Sequence, residues 1–352
     1  MRRILIVAAA VAGSAMLVAG CSSGNSGSSS SAATGSTGSA TDPAAAPVTV
    51  RLGFLANITH APALIALKNG YFSTALGSAG KVTATAFSSG TQETTAILAG
   101  QLDAAYVGPN PAINAWQKSS GAAIKIVSGV ATGGASIVVK PSVTGAAQLK
   151  GQSLATPSLG NTQDVALRYW LKQQGLTTSA TGGGDVSIKP TTPNSAAVLE
   201  FESGQISGAS EPAPYDIEMV KDGGKVLLSE PGVTTVLMVT QSFLSAHPAV
   251  VADLLKANTQ AIDFIKSDPS AAESDADAEY AAFTGKALKS SLVADSFKEI
   301  DFTVDPDASS LTTDAQQAVS VGLLKPVSLT GIFDLGPLNQ ALAAAGQPQI
   351  SS

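Results

Sequence analysis

Five loops of the sequence carry residues that could bind a small ligand without covalent chemistry. They are rich in glycine and in hydroxyl or amide side chains, and none of them contains lysine or arginine. Neutral hydrogen-bond donors of this kind suit a compact, singly charged or zwitterionic anion better than a phosphate-rich one. The loops are Asn57-Ile58-Thr59-His60, Ser88-Ser89-Gly90-Thr91, Gly108-Pro109-Asn110-Pro111, Thr132-Gly133-Gly134-Ala135-Ser136 and Ser158-Leu159-Gly160-Asn161-Thr162-Gln163.

Four of these loops, all except the fourth, stand directly before a predicted helix. A helix begins with free backbone N–H groups and the positive end of its dipole, so its N-terminus attracts anions. Gly90 and Gly160 let the backbone approach a ligand closely. The alternative is that each loop is only a helix cap, since Ser, Thr and Asn are favoured there in any case. The candidate ligand-binding residues in the loops are Asn57, Thr59, His60, Ser89, Gly90, Thr91, Gly108, Asn110, Gly133, Ser136, Gly160, Asn161, Thr162 and Gln163.

The sequence offers little that could support catalysis. One cysteine and two histidines are too few for a structural zinc site or a disulfide framework. The sequence has no nucleophile elbow, no Walker loop and no zinc-protease motif. His60 has no acidic residue nearby in the sequence, and His247 precedes Pro248 at a predicted helix start. We therefore predict no catalytic residue, no metal and no cofactor, and an enzyme would depend on His60 alone.

Short apolar strands alternate with helical segments from residue 48 onward. This alternation predicts an α/β fold with parallel sheets. The predicted strands cover 48–54, 82–87, 103–107, 124–130, 153–155, 186–189 and 235–239. The predicted helices cover 61–68, 91–99, 111–118, 162–174, 196–202, 250–266 and 271–283.

Two stretches of the chain share one order of features: strand, helix, Gly-Gln-aliphatic turn, strand and proline loop. The first passes through Gly100-Gln101-Leu102 and the second through Gly204-Gln205-Ile206. The pattern is either a chance similarity between α/β units or the sign of two lobes with similar folds. In the second case, loops at the carboxyl ends of both sets of strands would face one ligand cleft. We predict lobe one over 48–130 plus 241–352 and lobe two over 131–240, with crossings near 132–136 and 239–242.

The N-terminal residues are typical of a targeting segment. Arg2 and Arg3 precede an apolar run, as in a secretory signal peptide that would cover 1–20. The ending Leu17-Val18-Ala19-Gly20-Cys21 resembles the lipobox of bacterial lipoproteins, in which the cysteine is acylated and becomes the first residue. An ordinary signal peptide with an incidental cysteine is the alternative. The rest of the segment 21–47 is low-complexity Ser, Gly, Ala and Thr, which predicts a flexible linker.

Composition excludes several classes of protein. The chain has 352 residues, which predicts about two domains. Its 44% hydrophobic residues are enough to bury a sizeable core. The net charge is -6, and without a basic cluster this balance argues against nucleic acid as a partner.

Several blocks of the sequence resemble solute-binding proteins of nitrate/sulfonate/taurine ABC importers. The opening block is Asn57-Ile58-Thr59-His60-Ala61-Pro62-Ala63-Leu64, followed by Gly70-Tyr71-Phe72. The resemblance covers 48–268. Blocks similar to the aliphatic-sulfonate branch are Gly100-Gln101-Leu102-Asp103-Ala104-Ala105-Tyr106-Val107-Gly108-Pro109-Asn110-Pro111-Ala112, Leu149-Lys150-Gly151, Thr156-Pro157-Ser158-Leu159-Gly160-Asn161-Thr162-Gln163-Asp164-Val165-Ala166 and His247-Pro248.

The resemblance implies a two-lobed, periplasmic-binding-protein-like fold of type II. Each lobe would be a mostly parallel sheet flanked by helices, with the ligand cleft between the lobes. The implied function is capture of a small organic anion, above all an aliphatic sulfonate, and its delivery to ABC permease and ATPase subunits. Nitrate, taurine or a pyrimidine precursor are alternative ligands within the family.

Glu211 is an ambiguous candidate for the ligand site. Its carboxylate could pair with a ligand amine, as taurine would provide, or it could cap a neighbouring loop. Relatives usually carry an aromatic residue around their Glu-Pro segment. Here no aromatic residue follows Glu211-Pro212 until Tyr215. This departure bears on which ligand is bound.

Taken together, the features predict a lipid-anchored monomer on the extracytoplasmic face of the cell membrane that closes around its ligand by hinge motion. A precursor synthase that uses His60 is the alternative enzyme, and it would consume its ligand. A surface lipoprotein that binds another protein is a third alternative, and it predicts an exposed apolar patch.

Overall fold

The computed structural model describes residues 46–351. The predicted signal peptide, the predicted acylation site at Cys21 and most of the predicted linker lie outside the described residues. Within 46–351, no helix has both the length and the apolar character needed to cross a membrane.

The strands of the described residues form a six-stranded sheet, called here the first sheet, and a five-stranded second sheet. The apolar runs of the sequence become strands because alternate or continuous apolar side chains are buried on the faces of these sheets. The strands are β1 (Val48–Leu55), β2 (Gly80–Phe87), β3 (Ala104–Val107), β4 (Ile124–Gly133), β5 (Ala135–Val139), β6 (Ser153–Thr156), β7 (Ser187–Pro190), β8 (Gly208–Pro212), β9 (Lys225–Ser229), β10 (Val233–Thr240) and β11 (Ile300–Phe302).

Helices cover the faces of both sheets. Those that begin at the loops singled out in the sequence are α1, α3, α4 and α5. The helices are α1 (Ala61–Lys68), α2 (Tyr71–Leu76), α3 (Gly90–Leu98), α4 (Pro109–Lys118), α5 (Thr162–Gln173), α6 (Asn194–Glu202), α7 (Tyr215–Lys221), α8 (Gln241–Ala246), α9 (Pro248–Ser267), α10 (Pro269–Thr284), α11 (Ser290–Lys298), α12 (Ala308–Ser320) and α13 (Gly336–Ala344).

Both sheets are mixed, where the sequence predicted mostly parallel ones. The first sheet has the order β11-β4-β10-β3-β1-β2, and the second has the order β7-β6-β8-β5-β9. Strands β1, β2 and β3 pair in parallel, as do β6, β7 and β8. Strands β4, β5, β9, β10 and β11 add antiparallel pairs. The reason is that β4 and β5 carry the chain out of the first sheet and β9 and β10 bring it back, so these strands run in opposite directions.

The chain crosses between the sheets at two places. The first crossing lies at Gly133 and Gly134, where φ is +73° and +69°, a backbone conformation that glycine adopts without strain. The second crossing lies between β9 and β10, at residues 230–232. The sequence placed it near 239–242 and assigned 131–240 to lobe two. However, β10 pairs with β3 and β4 in the first sheet, so the return comes before residue 233.

Separate apolar clusters lie on the two faces of each sheet. In β5, Ile137 and Val139 pack with Leu167 and other residues of one cluster. Val138, which lies between them, packs with Phe201 in another cluster. This alternation follows from the two-residue period of a strand. Both sheets belong to one compact unit, Ala45–Ser352, and their loops meet between them.

Candidate functional site

Loops from both sheets enclose a small cavity, called here the cleft cavity. Its volume is about 20 Å³, which is room for about one water molecule. All of its walls belong to the described residues, and no lysine or arginine is among them. The first sheet's side contributes Leu55, Asn57, Thr59, His60, Gly90, Gly108, Pro111 and Thr234, and the second sheet's side contributes Pro157, Asn161, Thr162, Gln163, Asn194 and Pro212.

The loop after β1 supplies a buried polar network on the first sheet's side. The Thr59 hydroxyl donates to Asn57 Oδ1 at 2.8 Å and accepts a hydrogen bond from the Thr235 hydroxyl at 3.2 Å. The backbone N–H of Leu55 donates to His60 Nδ1 at 3.2 Å. Burial lowers the pKa of His60 to about 3, so the ring is neutral near neutral pH. Because Nδ1 accepts, Nε2 carries the hydrogen and is a neutral donor.

The start of α3 contributes only part of what the sequence predicted. Gly90 lines the cleft cavity, whereas Ser89 and Thr91 do not. Ser89 is the N-cap residue, and its side-chain oxygen accepts from the backbone N–H of Gln92 at 3.4 Å. The hydroxyl groups of Thr91 and Ser158 lie 3.0 Å apart, which joins the first sheet's side to the second sheet's side. Thr91 is therefore a contact between the two walls.

The start of α5 lines the cleft cavity with three consecutive side chains. Asn161 caps the helix, because its Oδ1 accepts from the backbone N–H of Asp164 at 2.9 Å. The Asn161 amide also donates to Gln163 Oε1 at 2.9 Å. The Thr162 hydroxyl is buried and has no hydrogen-bond partner among the described residues. Gly160 does not line the cavity, and its backbone N–H donates to Asp164 Oδ2 at 2.7 Å.

A buried ion pair fixes the loop before α5. Arg168 Nε donates to Asp164 Oδ1 at 2.8 Å, and both side chains are fully buried. The carboxylate of Asp164 therefore links the backbone of the loop at Gly160 to the side chain of Arg168, one turn further along α5. Burial raises the pKa of Asp164, and Arg168 together with the Gly160 N–H acts in the opposite direction.

The two walls touch directly at Gly108 and Thr162. A Cβ atom added at Gly108 would overlap Thr162 Oγ1, so the absence of a side chain at Gly108 permits this approach. The structure is therefore a closed arrangement of the two sheets around the cleft cavity.

Three other predicted residues, Asn110, Gly133 and Ser136, do not line the cavity. Asn110 donates its amide to the backbone carbonyl of Asp314 at 3.3 Å, so it joins α4 to α12. Gly133 lies in the first crossing between the sheets. Ser136 pairs in register with Glu211 on neighbouring strands of the second sheet.

Glu211 contacts a cavity residue that sequence reasoning missed. Its carboxylate is fully buried, and Oε2 accepts from Asn194 Nδ2 at 2.9 Å, while Oε1 has no partner within residues 46–351. Burial raises the pKa of Glu211 well above its usual range. Asn194 begins α6, and a polar residue at a helix start was a usable signal. The other missed lining residues, Leu55, Pro111, Pro157, Pro212 and Thr234, carry no such signal.

Comparison with known proteins identifies the family and the fold of the chain. Residues 43–280 match the model of the NMT1-like family. None of the curated proteins matches the sequence.

Solved structures of low sequence identity share the architecture. The periplasmic nitrate-binding protein NrtA of Synechocystis PCC 6803 has a TM-score of 0.72 and 16% identity, covering 86% of this chain and 90% of that protein. The alkanesulfonate-binding protein SsuA of Xanthomonas axonopodis pv. citri, bound to MOPS, has a TM-score of 0.66 and 18% identity, covering 80% and 96%. The periplasmic aliphatic sulphonate binding protein SsuA of Escherichia coli has a TM-score of 0.61 and 19% identity, covering 78% and 86%. These likenesses confirm the predicted fold class, the α/β fold of periplasmic binding proteins.

Proposed function

Since the chain belongs to the NMT1-like family, we propose that it is the solute-binding component of an ABC importer and captures a small organic anion, an aliphatic sulfonate. The observation that carries the proposal is the cleft cavity, where α3 and α5 begin on opposite walls. Residues from two helix N-termini and the neutral His60 ring then line one cavity. A sulfonate spreads a single charge over three oxygens, so neutral donors suffice to bind it. The nitrate and sulfonate binders among the structural neighbours support the same class of ligand.

The mechanism we propose is hinge closure. The two crossings, at 133–134 and 230–232, would bend, and the walls would meet through Gly108 against Thr162 and through Thr91 against Ser158. The ligand would be released unchanged to the permease. His60 is a weak base because of its low pKa, which makes an enzyme that depends on it a poorer account.

Ligand screening tests this function. Butanesulfonate should raise the melting temperature of the protein, because a ligand that binds only the folded state adds about 2.7 kcal/mol at a hundred times its Kd. Small-angle scattering should then show a smaller radius of gyration with the ligand than without it. Phosphate is the control and should have no effect. Failure of every sulfonate to shift the melting temperature would contradict the proposal.

Nitrate is a second candidate ligand, and the small volume of the cleft cavity favours it. A butanesulfonate tail would need more room than about 20 Å³, whereas nitrate has no tail. Taurine and pyrimidine precursors belong in the same screen. A rise in melting temperature with nitrate and none with sulfonates would identify nitrate as the ligand.

We also propose that an acylated Cys21 holds the protein on the extracytoplasmic face of the membrane, where it would act as a monomer with permease and ATPase subunits. Dual or triple acylation anchors a protein stably. Cys21→Ser should therefore leave the protein without acyl chains, either released into the soluble fraction or with its signal peptide uncleaved. An unmodified Cys21 in the mass spectrum of the wild-type protein would contradict this.

A further inference from the structure

Helices α5 and α12 meet along a seam beside the cleft cavity. Helix α12 is fixed to the first sheet's side, because Leu311 is buried in the apolar cluster that also holds Trp116 of α4. Helix α5 is fixed to the second sheet's side, because Leu167 is buried in one cluster with Ile137 of β5. Closure of the cleft therefore brings these two helices together, and opening separates them.

Several contacts cross this seam. Val165 of α5 is only 1% exposed, and it belongs to the apolar cluster of the first sheet's side. Lys172 Nζ, also on α5, donates to the carbonyl of Ser320 at the end of α12, at 2.5 Å. These contacts form only while the two sides are together, so the seam is part of the closed arrangement.

A groove runs along the seam, and we call it the side groove. Its volume is about 460 Å³, and it is bounded by α5, by residues 228–234 and by α12. Thr162 and Thr234 line both the side groove and the cleft cavity, so the two spaces share a wall. A charge in the side groove is therefore close to an anion held in the cleft cavity.

Asp314 of α12 lines the side groove without a positive partner. Its Oδ2 atom is shielded from solvent and has no hydrogen-bond partner within residues 46–351. Asp314 takes part in none of the salt bridges of these residues, and no lysine, arginine or histidine among them lines the groove. A buried carboxylate without such partners is costly, so the closed arrangement favours the neutral acid.

Two further acids face Asp314 across the side groove. Residues 228–234 contribute Glu230, which is 8% exposed and whose Oε1 accepts from the Ser210 hydroxyl at 2.6 Å. Helix α12 contributes Asp307, whose Oδ1 accepts from the backbone N–H of Ser310 at 3.1 Å. Burial raises the pKa of Asp314 to about 8, with a further rise from Glu230 and Asp307.

The neighbouring helices α5 and α4 do not neutralise this carboxyl group. On α5, Arg168 pairs with Asp164, and Lys172 is engaged at the end of α12. On α4, Asn110 is neutral, and Lys118 is exposed at the opposite end of the helix. The polar side chains of α5 that line the groove are neutral: Thr162, Tyr169, Trp170 and Gln173.

We propose that closure of the cleft takes up one proton, on the carboxyl group of Asp314, so that the protein binds its anion more weakly as the pH rises. This inference rests on the proposed function, because it concerns the closure that captures the anion. An open cleft exposes the carboxyl group to water, where an aspartate titrates near about pH 3.9. Closure buries the group beside α5, and an anion in the neighbouring cavity repels a carboxylate. Both effects favour the protonated acid in the liganded protein.

His60 has the opposite effect at acidic pH, so the uptake is measured at pH 7 and above. Burial lowers the pKa of His60 to about 3. If opening exposes the ring, its pKa returns to about 6.5, and closure then releases a proton below that pH. Above about pH 7 the ring is mostly neutral in both arrangements.

Glu230 keeps its partners in both arrangements. Burial raises the pKa of Glu230 to about 7. Its carboxyl group accepts from Ser210 of β8, and its backbone N–H donates to the carbonyl of Ala135 in β5. Both partners belong to the second sheet's side, so separation of α5 from α12 leaves them in place.

Isothermal titration with butanesulfonate tests the inference on the wild-type protein. The heat of binding is compared among buffers that differ in their heat of ionisation and contain no sulfonate, which counts the protons taken up. With a pKa of about 8 in the closed arrangement, we expect an uptake of about 0.9 proton per ligand at pH 7 and about 0.1 at pH 9. The affinity should fall about five-fold between pH 7 and pH 8. Nitrate replaces butanesulfonate if nitrate is the anion that raises the melting temperature.

The results separate this inference from the proposed function. Binding without proton uptake at pH 7, or with the same affinity at pH 7 and pH 8, would overturn the inference and leave the proposed function standing. Failure of both butanesulfonate and nitrate to bind would overturn both.

Two variants and a control locate the proton. Asp314→Asn keeps the size of the side chain and cannot ionise, so it should bind the anion equally tightly at pH 7 and pH 8. Glu230→Gln can still accept from Ser210 and removes a charge that raises the pKa of Asp314, so the uptake should persist with its midpoint at lower pH. Asp301→Asn, at an exposed position of β11, is the control and should behave as the wild type. An Asp314→Asn protein that keeps more than half of the wild-type uptake at pH 7 would overturn the inference.

Discussion

Helices α3 and α5 begin on opposite walls of the cleft cavity, and each buries a carboxyl group in its first turn. On α5, Asp164 has Arg168, the N–H of Gly160 and the hydroxyl of Thr156 as partners. On α3, Glu93 is fully buried, and neither of its carboxyl oxygens has a hydrogen-bond partner in the part of the chain that the structure describes. In the sequence, both helices carry an acidic residue in the first turn. In the structure, Asp164 has an ion pair and hydrogen bonds, whereas the carboxyl group of Glu93 has neither within the described residues. The α5 wall is therefore held in place by its own ion pair and hydrogen bonds, and the first sheet's side meets the second sheet's side through Gly108 and Thr91.

The largest expected effect comes from breaking the ion pair of the α5 wall. Arg168→Met should lower the free energy of unfolding by about 3–5 kcal/mol, because it leaves Asp164 buried without its cation. Urea denaturation measures this change. The control is Lys298→Met, which removes the exposed pair with Asp295 and should have little effect. Similar losses in the two variants would show that burial of the pair does not matter.

The next effect concerns the contact between the walls. Gly108 has φ −65° and ψ 154°, so alanine fits its backbone, but the added Cβ would overlap Thr162 Oγ1. Gly108→Ala should weaken ligand binding by about ten- to a hundred-fold, the usual cost of overpacking. Calorimetry with the sulfonate that binds the wild type measures it.

The matched control for this variant is Gly145→Ala. Gly145 has an extended backbone, and apart from its chain neighbours no atom of the described residues lies within 4 Å of an added Cβ. Adding Thr162→Ala to Gly108→Ala should restore part of the affinity, because it removes the overlapping hydroxyl. Wild-type affinity in Gly108→Ala would mean that binding does not use the closed arrangement seen here.

A pH-dependent effect should separate the two buried acids. Burial raises the pKa of Glu93 well above its usual 4.5, and no partner opposes the rise. The folded protein then keeps a proton that the unfolded chain loses, so this contribution to stability is present below pH 4.5 and is lost as pH rises toward the folded pKa. Glu93→Gln should therefore be more stable than wild type at alkaline pH and should show a flatter dependence of stability on pH. Glu299→Gln, at an exposed position, should show the same dependence of stability on pH as the wild type. A curve for Glu93→Gln that runs parallel to the wild-type curve would contradict a raised pKa of Glu93.

Much of the fold could be predicted from the sequence, because long apolar runs and helix caps are local signals. Strands β1, β2 and β4 follow from their apolar patterns, and α5 follows from its N-cap at Asn161. Strand β9 was missed because it is short, exposed and at the edge of its sheet, and β11 because it has only three residues. The sheet that β10 joins depends on long-range pairing, which no local pattern records.

The candidate site was predictable only in part, for a related reason. Helix-start loops are visible in sequence, and this signal found Asn161, Thr162 and Gln163. Which side chain of a loop faces the cavity depends on what lies opposite, and Ser158 opposite Thr91 could not be known. The same holds for Glu93 and Asp164, whose partners come from other parts of the fold.

The smallest expected effect concerns the hydrogen bond between the walls, from Thr91 to Ser158. This bond is exposed, so Thr91→Ala should weaken ligand binding by at most about ten-fold, the effect of one neutral hydrogen bond of up to ~1.5 kcal/mol. Ser158→Ala should have the same effect, and the double variant should be no worse than either single one, because both remove one bond. Thr162→Ala, by contrast, removes a hydroxyl at the cavity itself, and its effect should add to that of Thr91→Ala. Calorimetry on the three single variants and the two double variants separates these cases. Additive losses from Thr91→Ala and Ser158→Ala would mean that the two hydroxyls act separately, which would return Thr91 to the set of direct ligand contacts and make the two walls more alike.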